Sequence, residues 1–264
     1  MYDYHTHSNF SYDSQTKIDE MIEAAIGKGI KEIAITDHYD PDYPDPAFPF
    51  DIKFPEYHDK LLELSEAYSN KIKVVKGIEI GIQHGETLKK CDAAANAFQY
   101  DYVLGSFHSA YNCDLYSQYF KERSIEEGFY DFYTYMETCL KVFKNFDVLG
   151  HFNVIDRYGN YIPDYTPFMD IIEEILKILI HNGKGLEFNT SSFRYGMGER
   201  TKPAKEILAL YKSLGGEIIT IGSDAHKVSD LGYKYDTAVE ILKSHGFKYI
   251  STFKNRIPDF VKII

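Results

Sequence analysis

The alternation of short β-like runs with longer helical patterns most constrains what this chain can fold into. Seven runs are typical of strands, at residues 2–5, 32–36, 72–79, 100–106, 147–151, 185–189 and 217–223, with a possible eighth at 247–252. Between them, apolar residues recur at helical spacing, as from Ile18 to Ile26 before Gly29 and from Phe168 to Leu179 before Gly183. Strands that alternate with helices about every 30–45 residues are typical of parallel βα units. The alternation therefore predicts an α/β barrel or a doubly wound sheet.

Length and composition narrow the class of protein. A chain of 264 residues with 44% apolar content can build one large barrel or two small domains. Because no Gly- or Ser-rich linker interrupts it, we expect a single domain. The sequence contains no apolar run of about 18 residues and no signal-peptide pattern at its start, so we expect a cytoplasmic protein without a membrane span. Cys91, Cys113 and Cys139 are widely spaced, which predicts free thiols in a reducing compartment.

The net charge bears on possible ligands. With 29 basic and 40 acidic residues, the formal charge is −11. A surface this negative repels the phosphate backbone of nucleic acids, so a nucleic-acid polymer is not expected as a partner. A small anion remains possible if positive charge is concentrated locally.

Histidines and carboxylates follow the predicted strands at their C-terminal ends, where parallel α/β folds build their sites. The polar groups at these ends are His5, His7, Asp13, Asp37, His38, Glu79, His108, His151, Glu187, Asn189, Asp224 and His226. One histidine at a strand end is usually satisfied by hydrogen bonds, but six in a small volume would lack partners. Imidazole and carboxylate ligands together suit Zn²⁺, Mn²⁺ or Fe²⁺. The pattern therefore predicts a metal site on the C-terminal face.

These motifs resemble the polymerase-and-histidinol-phosphatase (PHP) family over nearly the whole chain, from His5-Thr-His7 to Ser-Asp224-Ala-His226. Within that family, the chain is similar to the monofunctional histidinol-phosphate phosphatases. The similarity lies in Gly150-His151 followed by Arg157-Tyr-Gly, and in Leu-Glu-Phe-Asn189-Thr-Ser followed by Arg194-Tyr-Gly. The resemblance implies a distorted (β/α)7 TIM-like barrel, with residues 1–264 forming a single PHP-type metal-dependent phosphatase domain.

The resemblance also implies three divalent metal ions (Zn, Mn or Fe). The expected ligands are His5, His7, Glu79 and Asp224 for the first ion, bridging Glu79 with His108 and His151 for the second, and Asp13, His38 and His226 for the third. Some relatives have histidine where this chain has Asp13, which leaves the third metal open. Three divalent ions and three carboxylates would leave the pocket at about +3, which favours a small anion.

Arg157 and Arg194 follow the fifth and sixth predicted strands. Because a guanidinium presents a planar fork that matches phosphate oxygens, we expect both arginines to clamp the substrate phosphate. A water activated by the metals would attack phosphorus. Asp224 or His226 would relay a proton to the leaving alkoxide. The Pro- and Asp-rich segment 39–51 is interpreted either as an ordered connection or as a lid over the site.

The implied reaction is the hydrolysis of a small phosphate monoester, L-histidinol phosphate, to L-histidinol and phosphate in histidine biosynthesis. One alternative is another PHP phosphoesterase that acts on nucleotides or phosphotyrosine. Two further alternatives are an amidohydrolase-type barrel and a scaffold without enzymatic activity. Amidohydrolases often use a bridging lysine, but strand alternation directs Lys76 away from the side of Glu79.

Overall fold

The structure, a computed structural model, describes residues 1–196 and 202–263. Its strands are β1 (Tyr2–Thr6), β2 (Glu32–Ile35), β3 (His38–Tyr39), β4 (Lys73–Gly81), β5 (Tyr102–Ser106), β6 (Ser109–Ala110), β7 (Cys113–Asp114), β8 (Val148–Leu149), β9 (Gly185–Asn189), β10 (Ile219–Gly222), β11 (Tyr249–Lys254) and β12 (Ile257–Lys262). Its α-helices are α1 (Ile18–Gly27), α2 (Phe54–Ala67), α3 (Thr87–Ala95), α4 (Ile125–Val142), α5 (Met169–His181), α6 (Lys202–Ser213) and α7 (Tyr235–Ser244).

Seven parallel strands form the barrel, in the order β1-β2-β4-β5-β8-β9-β10, and the short β3 also pairs with β4. The barrel closes between the ends of β1 and β10, where His7 N donates to Ala225 O at 2.8 Å and Asp224 N donates to His5 O at 2.8 Å. Since closure depends on this short region and β8 has only two residues, the barrel is distorted. The predicted distorted seven-stranded α/β barrel is confirmed.

Helices cover the outside of the barrel, as the sequence periodicity predicts. In α1, Ile18, Met21, Ile22 and Ala25 are buried, which is the helical spacing of one apolar face. The helix stops before Gly29, whose φ of +71° is a left-handed conformation that glycine adopts without steric cost. The same termination occurs after α5 at Gly183, with a φ of +64°.

The inside of the barrel is filled by a small apolar cluster, separate from the core between strands and helices. Its members are Tyr4, Ala34, Val75, Tyr102, Leu104, Val148 and Phe253. Phe253 belongs to β11, and its ring lies 5.0 Å from the ring of Tyr102. The cluster therefore receives a side chain from outside the seven barrel strands.

The predicted eighth strand is present as β11, but it pairs antiparallel with β12 and does not join the barrel. Asn255 and Arg256 have φ values of 51° and 64°, so they form the two-residue turn that reverses the chain. Phe253 N donates to the Tyr4 hydroxyl at 2.8 Å, and Arg256 Nε lies 3.1 Å from Asp147 just before β8. The hairpin therefore covers the N-terminal face of the barrel and leaves the C-terminal face open.

Two further predictions concern the membrane and the cysteines. Among the described residues, no helix has both the length and the apolar character that crossing a membrane requires. Cys91, Cys113 and Cys139 are unpaired, as predicted. Burial raises the pKa of the Cys91 and Cys139 thiols to about 12, so both stay protonated at neutral pH. The cellular compartment stays a prediction.

Candidate metal centre

Glu79, near the end of β4, lies at the centre of the predicted ligands and is fully buried. Its Oε2 lies 3.3 Å from His5 Nε2, 3.6 Å from His7 Nε2 and 2.8 Å from His38 Nδ1. Its Oε1 lies 3.5 Å from His108 Nε2 and 3.2 Å from His151 Nε2. One carboxylate thus contacts histidines that come from five different positions along the chain.

The spacing around Glu79 Oε1 matches that of ligands around a metal ion. Zn²⁺ binds nitrogen at about 2.0–2.1 Å with tetrahedral geometry, which places two ligand atoms about 3.3 Å apart. His108 Nε2 and His151 Nε2 lie 3.3 Å from each other, at similar distances from Glu79 Oε1. The three atoms form a triangle that is suited to one ion.

A second group of candidate ligands lies around Glu79 Oε2. It includes His5, which is in β1, and His7, which directly follows β1. Asp224 Oδ1 lies 3.7 Å from His5 Nε2 and 3.5 Å from His7 Nε2. The pairing of β1 with β2 shifts in register between Asp3 and Thr6, next to His5. Irregularities of this kind re-aim side chains beside functional sites. Four potential ligand atoms therefore face one point.

The third group is the most open of the three. Ring nitrogens of His7, His38 and His226 come within 4.8 Å of one another. Asp13 Oδ2 lies 3.1 Å from His226 Nε2 and 3.7 Å from His38 Nε2, and its side chain is 38% exposed. Asp13 thus lies at the solvent side of the group.

Several buried atoms of these groups have no hydrogen-bonding partner within the described residues. They include His5 Nε2, His7 Nε2, His226 Nε2 and both Glu79 carboxylate oxygens. A buried polar atom without a partner costs about 1–3 kcal/mol. Because these atoms belong to His and Glu side chains that lie close to the carboxylates of Asp13 and Asp224, the donor set fits divalent metal ions.

The electrostatics of the site also favour cations. Burial alone would raise the pKa of Glu79, but neighbouring His5, His38 and His108 hold it well below its usual range. Burial, together with His226 and His38, lowers the pKa of His7 well below its usual value. Glu79 therefore stays ionised, while His7 stays neutral with a lone pair available for a metal.

Two carboxylates that the sequence reasoning did not assign orient the histidines from behind. Asp40 Oδ2 lies 2.6 Å from His108 Nδ1, and Glu187 Oε1 lies 2.7 Å from His5 Nδ1. Glu187 Oε2 also accepts a hydrogen bond from His151 N at 2.6 Å. An acceptor at Nδ1 fixes the tautomer in which Nε2 has its lone pair free for a metal. Glu187 could have been found from its place at a strand end, two residues before Asn189.

Lys76 lies on the other side of β4, as strand alternation predicts. Its Nζ contacts Asp101 Oδ2 at 3.0 Å. Val75, which precedes Lys76, is part of the cluster inside the barrel. Glu79 lies on the same side of β4 as Val75, nearer the open face, so Lys76 points away from both. The bridging lysine of an amidohydrolase-type site is therefore absent at this described position.

The two predicted phosphate clamps differ in their surroundings. Arg157 reaches the site, where its Nη2 donates to Ser191 Oγ at 2.5 Å and lies 3.3 Å from Asp224 Oδ2. Arg194 instead donates to the carbonyl oxygens of Ser223 and Asp224, both at 2.7 Å. Asp224 has a φ of 54°, which is unusual for a residue with a side chain. In this arrangement, Arg194 supports the backbone that presents the Asp224 carboxylate.

A cavity of about 240 Å³ opens above the centre. Its charged and imidazole groups are Asp13, His38, His108, His151, Arg157, Asp224 and His226, and its aromatic walls are Tyr43, Phe48, Phe50, Tyr116, Tyr158 and Tyr195. Arg194 is not part of this lining. Three of the wall residues belong to segment 39–51, which is therefore a wall of the site; its movement as a lid stays a prediction. The cavity suits a small molecule.

Residues 3–191 match the PHP domain. The chain belongs to the PHP family. A relative from Clostridium acetobutylicum, described as a probable histidinol-phosphatase, is 33% identical, with 98% of this chain and 99% of that protein covered. The histidinol-phosphatase of Lactococcus lactis is 31% identical, with 95% of this chain and 93% of that protein covered. The predicted family is confirmed, while the extent of one PHP domain over residues 1–264 stays a prediction.

A solved structure is similar to this chain over nearly its whole length. The crystal structure of histidinol phosphate phosphatase from Lactococcus lactis, complexed with zinc, L-histidinol and phosphate, has a TM-score of 0.89. The two structures superpose over 98% of each chain, and their sequence identity is 28%. The shared fold places this chain's clusters of metal-capable side chains at the open end of a PHP barrel.

Proposed function

We propose that this chain is a metal-dependent phosphomonoesterase that hydrolyses L-histidinol phosphate to L-histidinol and phosphate, as a step of histidine biosynthesis. The observation that carries the proposal is the cluster of nine His, Asp and Glu side chains beside Arg157, under a small cavity with aromatic walls. The similar Lactococcus lactis enzyme, whose structure holds zinc, L-histidinol and phosphate, supports the choice of substrate.

The proposed centre would hold three divalent ions, and Glu79 would belong to two of the three ligand sets. The first set is His5, His7, Glu79 and Asp224, the second is Glu79, His108 and His151, and the third is Asp13, His38 and His226. Such ions, when bound, provide positive charge for the phosphoryl oxygens and lower the pKa of water. Zinc, manganese and iron are all compatible with these ligands.

Arg157 is the proposed phosphate ligand of the chain. It lines the cavity, and its guanidinium carbon lies 4.8 Å from the centre of the Tyr195 ring, which fixes the plane of the group. From there it can donate two N–H groups to phosphoryl oxygens while the charge develops. The same role for Arg194 stays a prediction, and it requires the side chain to leave the carbonyl oxygens of Ser223 and Asp224.

Of the two proposed proton relays, His226 is the more exposed to the cavity. Its ring lines the cavity and is 28% exposed, with Nδ1 3.1 Å from Asp224 O. Burial would raise the pKa of Asp224, but His5, His7 and Arg157 hold it well below its usual range. A carboxylate that stays ionised can orient a group or accept a proton, whereas the leaving alkoxide needs a donor.

The aromatic residues that line the cavity are suited to bind the positively charged alcohol part of the substrate. Histidinol carries an ammonium group and an imidazole ring, and a cation over an aromatic face gains about 0.5–2 kcal/mol. Phe48 stacks toward Phe50 at 6.3 Å between ring centres, and Tyr43 packs edge-on against Phe50 at 4.9 Å. This wall stands beside His38, whose ring lies 5.1 Å from Phe50.

Replacing Phe48 with Leu is expected to raise the KM for histidinol phosphate about 2- to 30-fold, because one aromatic face is lost. Steady-state kinetics with histidinol phosphate and with glycerol phosphate, which has no cation, measure the difference. Phe98→Leu is the matched control, since Phe98 stacks on His58 outside the cavity. Equal changes in KM for both substrates would contradict a role of this wall in recognising the cation.

Phosphate release from a panel of esters tests the function itself. We expect kcat/KM for histidinol phosphate to exceed that for glycerol phosphate, phosphotyrosine and nucleotides by at least about tenfold, because only histidinol phosphate brings both an ammonium group and an imidazole ring to the aromatic walls. Metal analysis of the same preparation should find about three divalent ions per chain. Equal rates across the panel would reject a dedicated biosynthetic enzyme, and the absence of stoichiometric metal would favour a scaffold.

A further inference from the structure

Two glycines lie directly against the carboxylates that orient the metal histidines. A Cβ atom added to Gly81 would lie 2.5 Å from Asp40 Oδ2 and 2.6 Å from Asp40 Oδ1. A Cβ atom added to Gly222 would overlap Glu187 Oε1 and lie 2.5 Å from His5 Cβ. Neither glycine has a φ in the left-handed region, so the backbone conformation does not require glycine at either position. What both positions require is space.

We propose that Gly81 and Gly222 are positioning residues, whose missing side chains let Asp40 and Glu187 reach the Nδ1 atoms of His108 and His5. The inference rests on the proposed metal centre. Gly81 follows Glu79 by two residues in β4, and Gly222 precedes Asp224 by two residues at the end of β10. Alternation along β4 therefore turns Gly81 toward the side that carries Glu79, and Gly222, the last residue of β10, lies directly against Glu187 and His5.

Asp40 has little freedom to accommodate a methyl group at position 81. Its side chain is almost completely buried, and its backbone N donates to Phe50 O at 2.9 Å. The next residue, Pro41, is held through its carbonyl oxygen by Gln83 Nε2 at 2.8 Å. A methyl group would have to displace the carboxylate from His108, which would free the ring to rotate or to change tautomer.

Gly222 repeats the arrangement at the other buried carboxylate. Glu187 contacts His5 Nδ1 and accepts from His151 N, so it supports the first and the second proposed metal sets together. A side chain at position 222 would also meet His5 directly, which would mix two effects. Gly81 gives the cleaner experiment, because the three nearest atoms to its added Cβ all belong to the Asp40 carboxylate.

A double-mutant cycle on the full chain tests the proposal, with Gly81→Ala, Asp40→Ala and the double variant. Zinc affinity is measured by competition with a chromogenic chelator, and the thermal midpoint is measured on metal-free protein. Each single variant is expected to bind the affected zinc ion about 10- to 100-fold more weakly. The double variant should be no weaker than Asp40→Ala, because the methyl group then has no carboxylate to displace.

Gly105→Ala is the matched control, because Gly105 also lies in the barrel where an added Cβ has little space. Its added Cβ would lie 2.9 Å from Ile82 Cδ1 and 2.9 Å from Phe146 Cγ, which are apolar atoms away from the centre. We expect this variant to lose thermal stability and keep its zinc affinity.

Additive losses of zinc affinity in the double variant, or unchanged affinity in Gly81→Ala, would overturn the proposal. If Gly81→Ala does not fold, the double variant decides: recovery of folded protein supports the steric explanation, and continued failure overturns it. Zinc affinity needs no substrate, so failure to hydrolyse histidinol phosphate would refute the proposed reaction and leave the cycle interpretable.

Discussion

Replacing Glu79 with Gln is expected to lower turnover of histidinol phosphate by about 10³-fold or more. The amide has the shape of the carboxylate but no charge, and its NH2 group would point at ring nitrogens that need their lone pairs for metal. Because both Glu79 oxygens contact histidines, two of the proposed metal sets lose their shared ligand. Breaking a buried charge cluster by removing one partner is also strongly destabilising.

Turnover and metal content of Glu79→Gln should be measured together on purified protein. Glu32→Gln is the matched control, because Glu32 lies at the opposite end of the barrel, where it accepts a hydrogen bond from the Tyr4 hydroxyl at 2.6 Å and pairs with Lys73. The control should keep full metal content. A Glu79→Gln variant with normal metal content and normal turnover would refute the bridging role.

Arg157→Ala, which removes the guanidinium, is expected to lower kcat/KM for histidinol phosphate by about 10²-fold, as for other groups that stabilise a developing charge. Arg157→Lys should recover only part of the loss, since an ammonium cannot form the planar two-point contact. The affinity for inorganic phosphate as an inhibitor should fall in parallel. Metal content is the second readout, and it should change little.

Arg194→Ala separates two roles for that arginine. The sequence predicts a similar loss of about 10²-fold through the phosphate. The observed contacts with Ser223 O and Asp224 O instead favour an effect on the Asp224 backbone, which would lower metal content as well. Arg256→Ala, on the closed face of the barrel, is the matched control. Unchanged kinetics for Arg157→Ala and Arg194→Ala together would reject the clamp.

The clustering of the candidate ligands could be predicted from the sequence, because it depends on where these residues stand relative to the strand ends. His5 and His7 are two residues apart, and Glu79, His151 and Asp224 lie at or beside strand ends that parallel topology brings to one face. Such groups can be found without knowing how helices pack. The family resemblance then divided them among three ions, a division that metal analysis has to test.

Other parts of the site and of the fold could not be predicted, because no periodic pattern in the sequence indicates them. Asp40 lies in a segment rich in proline, and only the path of that loop brings it to His108. The predicted strand at residues 147–151 is reduced to Val148–Leu149, because the residues around it bind the hairpin on one side and the site on the other. Likewise, β11 has the composition of a strand, but the turn at Asn255 and Arg256 decides its partner.

The hairpin that places Phe253 inside the barrel has a consequence for the order of events in the proposed reaction. Because buried aromatic rings of the described residues close the N-terminal face, we expect substrate and products to pass through the mouth on the C-terminal face. In the proposed reaction, the phosphate end of the substrate would reach furthest, to the cluster of His, Asp and Glu side chains at the bottom of the cavity, and the alcohol would stay nearer the mouth between the aromatic walls. After hydrolysis the alcohol would lie between the phosphate and this mouth, so we expect the alcohol to leave first and the phosphate last.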